Sequence, residues 1–322
     1  TDTDKEKLYK TNKKNEHLYK RAVIDCKYKG YIEKQLREVR KNQKQNSKKI
    51  PNDINYSQIS GLSNEVTEKL NKTNIQFSEA RSEHGVILRE PVPSRTLPGW
   101  LEGEASLQDL GAQYAAPLLM NALSKDTNTP TILDGCAAPG GKLSHLNELL
   151  GNKFKSYKLI AVEKDKKRLA VMRDLVTRSQ HGGIENILFI EADSTEPTEE
   201  LQLKYDAIMV DAPCSGSGTI RRNPDIRILF DPIELQSKSK FQLRLLRNLW
   251  RSLRSGGNLL YVTCSIFNEE NDLVVEQFLS ERADAITESI DLPLGRATKF
   301  GWQVLPCDGP TDGFYYCQLR KV

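Results

Sequence analysis

The stretch Thr131-Ile-Leu-Asp-Gly-Cys-Ala-Ala-Pro-Gly-Gly-Lys142 decides the fold. Its first four residues predict a buried strand, and the small residues that follow predict a tight loop leading into a helix at Lys142. Small residues before a helix N-terminus let an anionic ligand approach the backbone N–H groups. The loop is neither a Gly-x-Gly-x-x-Gly dinucleotide fingerprint nor a phosphate loop, because Leu143 follows Lys142 where a phosphate loop has Ser or Thr.

Strands and helices alternate regularly after this stretch. We predict strands over residues 131–134, 158–163, 186–190, 205–211, 258–263 and 313–319, and helices over 106–123, 142–150, 166–179, 234–254 and 271–282. Continuous apolar strands separated by helices are typical of a parallel sheet that helices cover on both faces. The sequence therefore predicts the α/β class with a mostly parallel, Rossmann-like sheet.

The N-terminal part of the chain has a different charge from the rest. Residues 1–50 contain 16 Lys and Arg against 7 Asp and Glu, whereas the remaining chain contains 31 against 36. A basic arm on a near-neutral body suits a polyanionic partner, although a solvated Lys-rich helix would explain the charge equally simply. We predict a small α+β domain over residues 1–92 and a larger domain over residues 93–322.

Composition argues against several classes of protein. No apolar run approaches the roughly 18–20 residues that a membrane helix needs. The six cysteines include no Cys-x-x-Cys pair and only four histidines are present, so we expect reduced thiols and no metal site. We expect a cytoplasmic monomer without membrane contact. Because the chain begins with Thr1 rather than Met, we also expect it to be cut from a longer one.

Three carboxylates stand at the ends of successive predicted strands. Glu163 closes the second strand, Asp193 follows the third and Asp211 closes the fourth. In a parallel sheet these ends meet at one edge, where a carboxylate can take the hydroxyls of a bound ribose. Any one of them alone is better explained as a loop carboxylate or a helix cap. Together with the loop, they predict an S-adenosylmethionine site, with Glu163 at the ribose and Asp193 at the adenine.

Two cysteines are predicted at the same edge, Cys214 after the fourth strand and Cys264 at the end of the fifth. A thiolate that adds to carbon 6 of a pyrimidine makes the weakly nucleophilic carbon 5 able to attack a methyl sulfonium. A carboxylate nearby, here Asp211, can bind the exocyclic amine and the protonated ring nitrogen. We interpret Cys26, Cys307 and Cys317 as small buried hydrophobic residues. Cys136, in the loop, is interpreted as structural.

Several motifs in combination resemble the Fmu/Sun family of RNA 5-methylcytosine methyltransferases. The motifs are Pro98-Gly-Trp100, Leu107-Gln-Asp109, Cys136-Ala-Ala-Pro-Gly-Gly-Lys142, Asp211-Ala-Pro-Cys-Ser-Gly-Ser-Gly218, Arg221-Arg-Asn-Pro-Asp-Ile226, Thr263-Cys-Ser265 and Glu269-Glu-Asn271. The resemblance covers residues 90–322 well and residues 20–90 loosely, and it is strongest to members that act on small-subunit ribosomal RNA.

The resemblance implies the class I S-adenosylmethionine-dependent methyltransferase fold, with a mostly parallel seven-stranded sheet. It implies methylation of carbon 5 of a cytosine in RNA, with Cys264 as nucleophile, Cys214 aiding product release and Asp211 in the catalytic site. It makes residues 93–322 the catalytic domain and residues 1–92 the RNA-binding region. The cofactor contacts that it implies are Cys136, Ala137, Ala138, Pro139, Gly140, Gly141, Lys142, Glu163, Asp193 and Asp211.

The chain departs from the family pattern at several positions. Glu163 stands where the family has Asp, Leu143 replaces Thr or Ser, and Asn268 replaces Pro. Asp53-Ile-Asn55 occupies the place of an Arg-Val-Asn signature, which weakens inferences about RNA contacts there. Too few residues precede position 90 for the helical NusB-like domain of B-type members, so we expect that domain to be absent or cut off.

Arg221 and Arg222 follow the Cys214 loop and are candidates for RNA contact. They could clamp phosphates or stack on bases, or equally form a surface pair that holds Asp225 or Asp231. The target cytosine must leave its stack to reach a thiolate, so we expect a single-stranded or flipped base.

Three other functions remain open from the sequence. The substrate could be transfer RNA rather than ribosomal RNA. A catalytically silent RNA-binding assembly factor could keep this fold, although retention of Cys214, Cys264 and Asp211 argues against it. A DNA cytosine methyltransferase uses the Pro-Cys cysteine as nucleophile and has no place for the cysteine of Thr263-Cys-Ser265.

Overall fold

The structure is a computed structural model. It describes residues 70, 73, 75–80, 82, 85–124, 127–179, 183–229 and 231–322. Most of the predicted N-terminal region over residues 1–92, including its basic arm, lies outside the described residues. Within the described part of the chain, no helix combines the length and the apolar composition that crossing a membrane requires.

The strands and helices follow the predicted alternation. The strands are β1 Phe77–Glu79, β2 Val86–Leu88, β3 Thr131–Asp134, β4 Lys158–Glu163, β5 Ile187–Glu191, β6 Tyr205–Asp211, β7 Leu253–Thr263, β8 Ala285–Glu288, β9 Arg296–Ala297, β10 Trp302–Val304 and β11 Phe314–Lys321. The α-helices are α1 Leu110–Gln113, α2 Ala115–Ala122, α3 Gly141–Lys153, α4 Lys166–Arg178, α5 Ile226–Leu229, α6 Pro232–Ser252 and α7 Asp272–Glu281.

One mixed sheet forms the centre of the described residues. Its strand order is β5-β4-β3-β6-β7-β11, and neighbours from β5 to β7 are parallel whereas β11 runs antiparallel to β7. The far edge of β11 is shared by β10 and β8, and β9 pairs with β10. The α/β class and the mostly parallel arrangement are confirmed.

The predicted strand number was too low. In the described residues the sheet has nine strands rather than seven. The local pattern predicts six of the nine strands, and the other three lie between residues 285 and 304, a region that resembles a polar loop because each of these strands has only two to four residues. Strands this short carry too few alternating positions for a period of two to be visible in the sequence.

The predicted helix over residues 106–123 was too long. Asp109 caps α1 by accepting a hydrogen bond from the Gly111 N–H at 2.9 Å, so the helix begins at Leu110. Tyr114 separates α1 from α2. The long helix α6 also begins where local chemistry favours it, because Asp231 caps it and Pro232 occupies its first position.

Apolar residues cover both faces of the sheet. Ile132 of β3 belongs to the apolar cluster on one face and Leu133 to the cluster on the other. On the second face Trp250 of α6 packs edge-on against Phe278 of α7, with ring centroids 5.3 Å apart. Burial on both faces explains why the parallel strands are apolar throughout. It leaves the strand ends as the places where polar side chains can gather.

Candidate active site

The loop between β3 and α3 is tied to the strands on either side. Gly135 and Ala137 donate backbone hydrogen bonds to β6 and β4, respectively. Gly140 has φ +107°, and a Cβ atom there would lie 2.9 Å from Met172, so the bend into α3 requires glycine. No side chain caps α3. The predicted cofactor loop therefore presents a helix N-terminus at the edge of the sheet.

Asp134, the last residue of β3, lies directly before the predicted cofactor loop, although sequence reasoning did not single it out. Its side chain is fully buried, and its Oδ2 has no hydrogen-bond partner among the described residues. Burial, reinforced by the nearby Asp211 charge, raises the pKa of Asp134 to about 7. The available signal was a carboxylate at the end of an apolar strand directly before the loop.

Glu163 ends β4 with a buried side chain beside the same loop. Its Oε1 accepts a hydrogen bond from the Asp165 N–H at 2.9 Å, and its Oε2 lies 3.3 Å from the Arg168 guanidinium. Arg168 also donates to the Ala138 carbonyl at 3.1 Å. Arg168, which the sequence did not single out, therefore links the predicted ribose carboxylate to the predicted cofactor loop.

Asp193 lies beyond the end of β5 and is more open to solvent. Its Oδ1 accepts hydrogen bonds from the N–H and the hydroxyl of Thr195 at 2.9 and 2.7 Å. Partial burial opposes ionisation, but these hydrogen bonds and the charge of Lys164 outweigh it, so the pKa of Asp193 lies below its usual value. Asp193 is an ionised strand-end carboxylate, as predicted, and it also closes a local turn.

Lys142 joins the loop to the cysteine side of the site. Its Nζ lies 2.7 Å from Oδ2 of Asp211 and 5.3 Å from the centre of the Phe314 ring. Burial disfavours the ammonium charge, but the adjacent Asp211 carboxylate outweighs this effect and raises the pKa of Lys142. The Lys142 side chain, predicted only as part of the cofactor loop, thus points at the carboxylate predicted beside the base.

Cys214 and Cys264 lie together, as predicted from their strand ends. Their Sγ atoms are 3.3 Å apart, and both are free thiols of intermediate burial. The hydrogen bond from Cys214 lowers the pKa of the Cys264 thiol below its usual value, against the opposing effect of burial. The same hydrogen bond, together with burial, raises the pKa of Cys214. The pair is therefore polarised, with the thiolate favoured at Cys264 and the proton at Cys214.

Backbone hydrogen bonds hold the two cysteine loops in register. Gly218 donates to the Cys264 carbonyl at 2.9 Å, and Gly313 donates to the Gly218 carbonyl at 2.9 Å. A Cβ atom on Gly218 would overlap the Gly313 carbonyl oxygen. On the other side of Cys264, Asn271 donates to the Ser265 carbonyl at 3.0 Å. In the sequence the Glu-Glu-Asn motif only supported the family resemblance, and in the structure its Asn271 contacts the loop that carries Cys264.

Arg222 is held by a partner that the sequence did not suggest. Its guanidinium forms an ion pair with the fully buried Asp312, rather than with Asp225 or Asp231. The alternative of a local surface pair with Asp225 or Asp231 was therefore wrong. Asp312 is distant from Arg222 in the sequence, and the pairing of β11 with β7 brings the two side chains together. Arg221 is exposed and donates to the Gly309 carbonyl at 3.4 Å.

The remaining cysteines divide by exposure. Cys317 is buried in β11, as expected, and burial raises its thiol pKa. Cys136 is half-buried in the loop after β3. Cys307 is exposed, so its interpretation as a buried residue was wrong, because it lies in the loop between β10 and β11. Cys26 lies outside the described residues.

Comparison with protein families fits this arrangement. A family model described as 16S rRNA methyltransferase RsmB/F matches residues 120–320, which contain the loop, the strand-end carboxylates and both site cysteines. The chain belongs to the RsmB/F methyltransferase family. A second model, described as the tRNA modifying enzyme MnmG/GidA C-terminal helical bundle, matches residues 38–86, most of which lie outside the described residues.

Individual relatives agree with membership in the RsmB/F family. A ribosomal RNA small subunit methyltransferase B from Shewanella oneidensis is 37% identical over 284 residues, which are 86% of this chain and 62% of that protein. A second one, from Pasteurella multocida, is 34% identical and covers 86% of this chain and 60% of that protein. The chain thus spans about six-tenths of the length of these relatives.

Solved structures share the fold. A methyltransferase homolog from Pyrococcus horikoshii has a TM-score of 0.67 at 26% identity and covers 80% of this chain and 82% of that one. NSun6 from the same organism, solved with SFG, has a TM-score of 0.62 at 26% identity and covers 74% of this chain and 59% of that one. The predicted class I methyltransferase fold and the Fmu/Sun resemblance are confirmed.

Proposed function

We propose that this chain methylates carbon 5 of a cytosine in RNA, through a covalent adduct between the base and Cys264. The observation that carries the proposal is the polarised thiol pair of Cys214 and Cys264, 3.3 Å apart, on the strand ends that adjoin the cofactor loop. Methyl transfer to oxygen or to an exocyclic nitrogen needs no thiol nucleophile, whereas methylation at carbon 5 of a pyrimidine does.

S-adenosylmethionine is the cofactor of this family, and the chain's residues fit it. A Cβ atom on Gly141 would meet nothing within 4 Å, so the start of α3 is open to a ligand. The helix N-terminus suits the carboxylate of the methionine part, and Glu163 suits the ribose hydroxyls. When bound, S-adenosylmethionine supplies an electrophilic methyl group. The relative solved with SFG, an S-adenosylmethionine analogue, supports this assignment.

Cys264 starts the proposed reaction. Its thiolate adds to carbon 6 of the cytosine, a C–S bond forms, and the electron pair of the 5,6 double bond becomes available at carbon 5. Asp211 stands where it can bind the exocyclic amine or the ring nitrogen, and Lys142 fixes its carboxylate through the ion pair at 2.7 Å. The reactive carbon 5 then accepts the methyl group.

Cys214 serves the release step. The proton on carbon 5 passes to solvent water, the electron pair of the C–H bond restores the 5,6 double bond, and the C–S bond breaks so that its electron pair returns to Cys264 as the thiolate. The two sulfurs are already within hydrogen-bond distance, and the opposite pKa shifts favour Cys214 as the donor, so the same contact would stabilise the departing thiolate.

The proposed substrate is small-subunit ribosomal RNA, since the relatives with 34–37% identity carry that name. The target cytosine would have to leave its stack to reach the thiol pair, which lies at the edge of the sheet. Exposed Arg221 is a candidate for backbone contact, and Arg222, tied to Asp312, is a weaker one. We assign RNA binding to residues 1–92 because their N-terminal part is basic. We assign catalysis to residues 93–322, which contain the cofactor loop and both site cysteines.

A direct assay tests the proposal. The 322-residue chain is incubated with methyl-labelled S-adenosylmethionine and, in separate reactions, with unmodified small-subunit ribosomal RNA transcribed in vitro, with the small subunit itself and with unmodified transfer RNA. Bisulfite sequencing then maps 5-methylcytosine. We expect protection of cytosine at a discrete position. Label in transfer RNA alone would redirect the substrate, and binding of RNA without transfer to any of these substrates would favour a silent assembly factor.

A further inference from the structure

We infer that Glu270 and Gln242 form a clamp that positions Cys214 for the release step. This inference rests on the proposed function, because it assigns a role in the Cys214 step. The clamp consists of the Glu270 side chain, from the turn before α7, and the Gln242 side chain, from α6. No local pattern connects either element with Cys214.

The clamp holds the peptide groups on both sides of Cys214. Glu270 Oε1 accepts a hydrogen bond from the Ser215 N–H at 2.7 Å. Gln242 Nε2 donates to the Pro213 carbonyl at 3.0 Å and to the same Glu270 Oε1 at 3.1 Å. The backbone that carries Cys214 is therefore fixed before and after the residue, by two side chains that are themselves joined.

The clamp also reaches the nucleophile loop. Glu270 Oε2 accepts a hydrogen bond from the Ser215 hydroxyl at 2.6 Å. The Ser215 hydroxyl oxygen in turn lies 3.3 Å from the hydroxyl oxygen of Ser265, which follows Cys264 in the chain. A continuous set of hydrogen bonds thus links the residue after Cys214 to the residue after Cys264. Movement of either loop would therefore break hydrogen bonds that join it to the other loop.

Burial of Glu270 is costly and needs an explanation. Glu270 and Gln242 are both fully buried, and the hydrogen-bond donors to the Glu270 carboxylate are neutral groups. A buried carboxylate with only neutral hydrogen-bond donors destabilises the folded state relative to apolar packing in the same place. Holding a catalytic loop in one geometry is a reason to keep it.

The charge of Glu270 also acts on the two thiols unequally. The hydrogen bond that Cys214 shares with Cys264 and burial raise the pKa of Cys214, and the negative charge of Glu270 adds to both, whereas Asp211 and Lys142 are the charged groups that act on Cys264. Glu270 thereby favours the protonated form of Cys214, which is the form that donates to the departing sulfur.

Two substitutions of Glu270 separate the effect of its hydrogen bonds, which position Cys214, from the effect of its charge. Glu270→Ala removes the hydrogen bonds and the charge. Glu270→Gln can keep both contacts to Ser215, because its amide oxygen can accept from the N–H while its amide nitrogen donates to the hydroxyl, but it removes the charge. Glu269→Ala is the matched control, because this neighbouring carboxylate is exposed. Gln242→Ala tests the other half of the clamp without changing the charge.

Two readouts are needed. The first is covalent protein–RNA adduct on a denaturing gel together with multiple-turnover methyl transfer. The second, independent of RNA, is the rate at which iodoacetamide alkylates Cys214 and Cys264 as a function of pH, measured by mass spectrometry. We expect Glu270→Ala to lose turnover on the order of 10²-fold while adduct accumulates, since displacement of about 1 Å has such effects. We expect Glu270→Gln to restore turnover and to lower the pH at which Cys214 is alkylated.

The outcomes separate this inference from the proposed function. If the wild-type chain forms neither adduct nor 5-methylcytosine, the proposed function fails, but the alkylation profiles still test the clamp. If Glu270→Ala and Gln242→Ala both match Glu269→Ala in the alkylation of Cys214, the clamp is wrong whatever the activity. If Glu270→Ala does not fold, Glu270→Gln and Gln242→Ala decide the question by the same profiles.

Discussion

The Sγ atoms of Cys214 and Cys264 lie 3.3 Å apart although the two residues are 50 positions apart in the chain. Cys214 follows β6 and Cys264 follows β7. These two strands are parallel neighbours, with Asp211 opposite Val262. Adjacent parallel strands that end at one edge bring their following residues together. The hydrogen bond between the sulfurs then gives the two thiols different acidities, which supports unequal roles.

Replacement of the nucleophile is the first prediction. Cys264→Ala should lower methyl transfer to RNA by at least about 10³-fold, because the remaining thiol of Cys214 has a raised pKa and offers little of the thiolate that forms the C–S bond. Binding of S-adenosylmethionine, measured by calorimetry, should stay within about twofold of wild type, which corresponds to about 0.4 kcal/mol. The exposed Cys307→Ala is the control and should keep full activity. Full activity of Cys264→Ala would contradict the covalent mechanism.

Removal of Cys214 is the second prediction. Cys214→Ala should leave the attack by Cys264 possible but slow the release, so that a covalent protein–RNA adduct accumulates on a denaturing gel. The double variant with Cys264→Ala should show no adduct. Absence of adduct from Cys214→Ala with a substrate that the wild-type chain methylates would rule out the release role.

The thiol pair predicts a pH dependence. The hydrogen bond from Cys214 lowers the pKa of Cys264, so loss of the donor should raise that pKa. In Cys214→Ala, alkylation of Cys264 by iodoacetamide should therefore shift to higher pH than in the wild-type chain. The alkylation profile of exposed Cys307 should be the same in both proteins. An unchanged or lower midpoint for Cys264 would show that Cys214 is not the donor.

Asp134 predicts how stability varies with pH. Burial and the charge of Asp211 raise its pKa to about 7 in the folded chain, above the value of an unfolded Asp. The folded state therefore holds this proton more tightly, and the resulting stabilisation is complete below about pH 4 and lost as pH rises through 7. Between about pH 4 and pH 7, the free energy of unfolding of the wild-type chain should therefore fall by on the order of 3–4 kcal/mol relative to that of Asp134→Asn.

Urea unfolding of both proteins at several pH values measures this difference. The exposed Asp225→Asn is the control and should follow the wild-type chain at every pH. A free-energy difference between Asp134→Asn and wild type that is constant from pH 4 to 8 would contradict the assignment.

Gly218 predicts a packing defect between the two loops. The Cβ atom of Gly218→Ala would overlap the Gly313 carbonyl oxygen and lie 2.9 Å from the Cys264 carbonyl oxygen. We expect a loss of roughly 1–3 kcal/mol in the free energy of unfolding, as for other overpacked sites, and loss of methyl transfer. Gly141→Ala is the control for stability, because its Cβ atom meets nothing within 4 Å. Equal stability of the two variants would show that the loops can separate freely.

Much of the fold was predictable from local pattern. Strands β3, β4 and β6 have the predicted bounds, because long apolar runs closed by a loop or a carboxylate are a strong local signal. The predicted parallel arrangement placed Cys214, Cys264 and Asp211 at one edge before any contact was known. Helix 106–123 was overextended because its periodicity continues across Tyr114, where the backbone changes direction.

By itself the sequence determined which elements form and which residues stand at their ends, since periodicity, capping residues and small-residue loops act over a few positions. Only the tertiary structure decided what those residues touch. The ion pairs of Lys142 with Asp211 and of Arg222 with Asp312, and the clamp of Glu270 on the backbone beside Cys214, join residues 55 to 90 positions apart. Such pairs depend on strand order and register, and a buried polar partner leaves no periodic signal in the sequence. The first residues of the site were therefore predictable, but the groups that hold them in place were not.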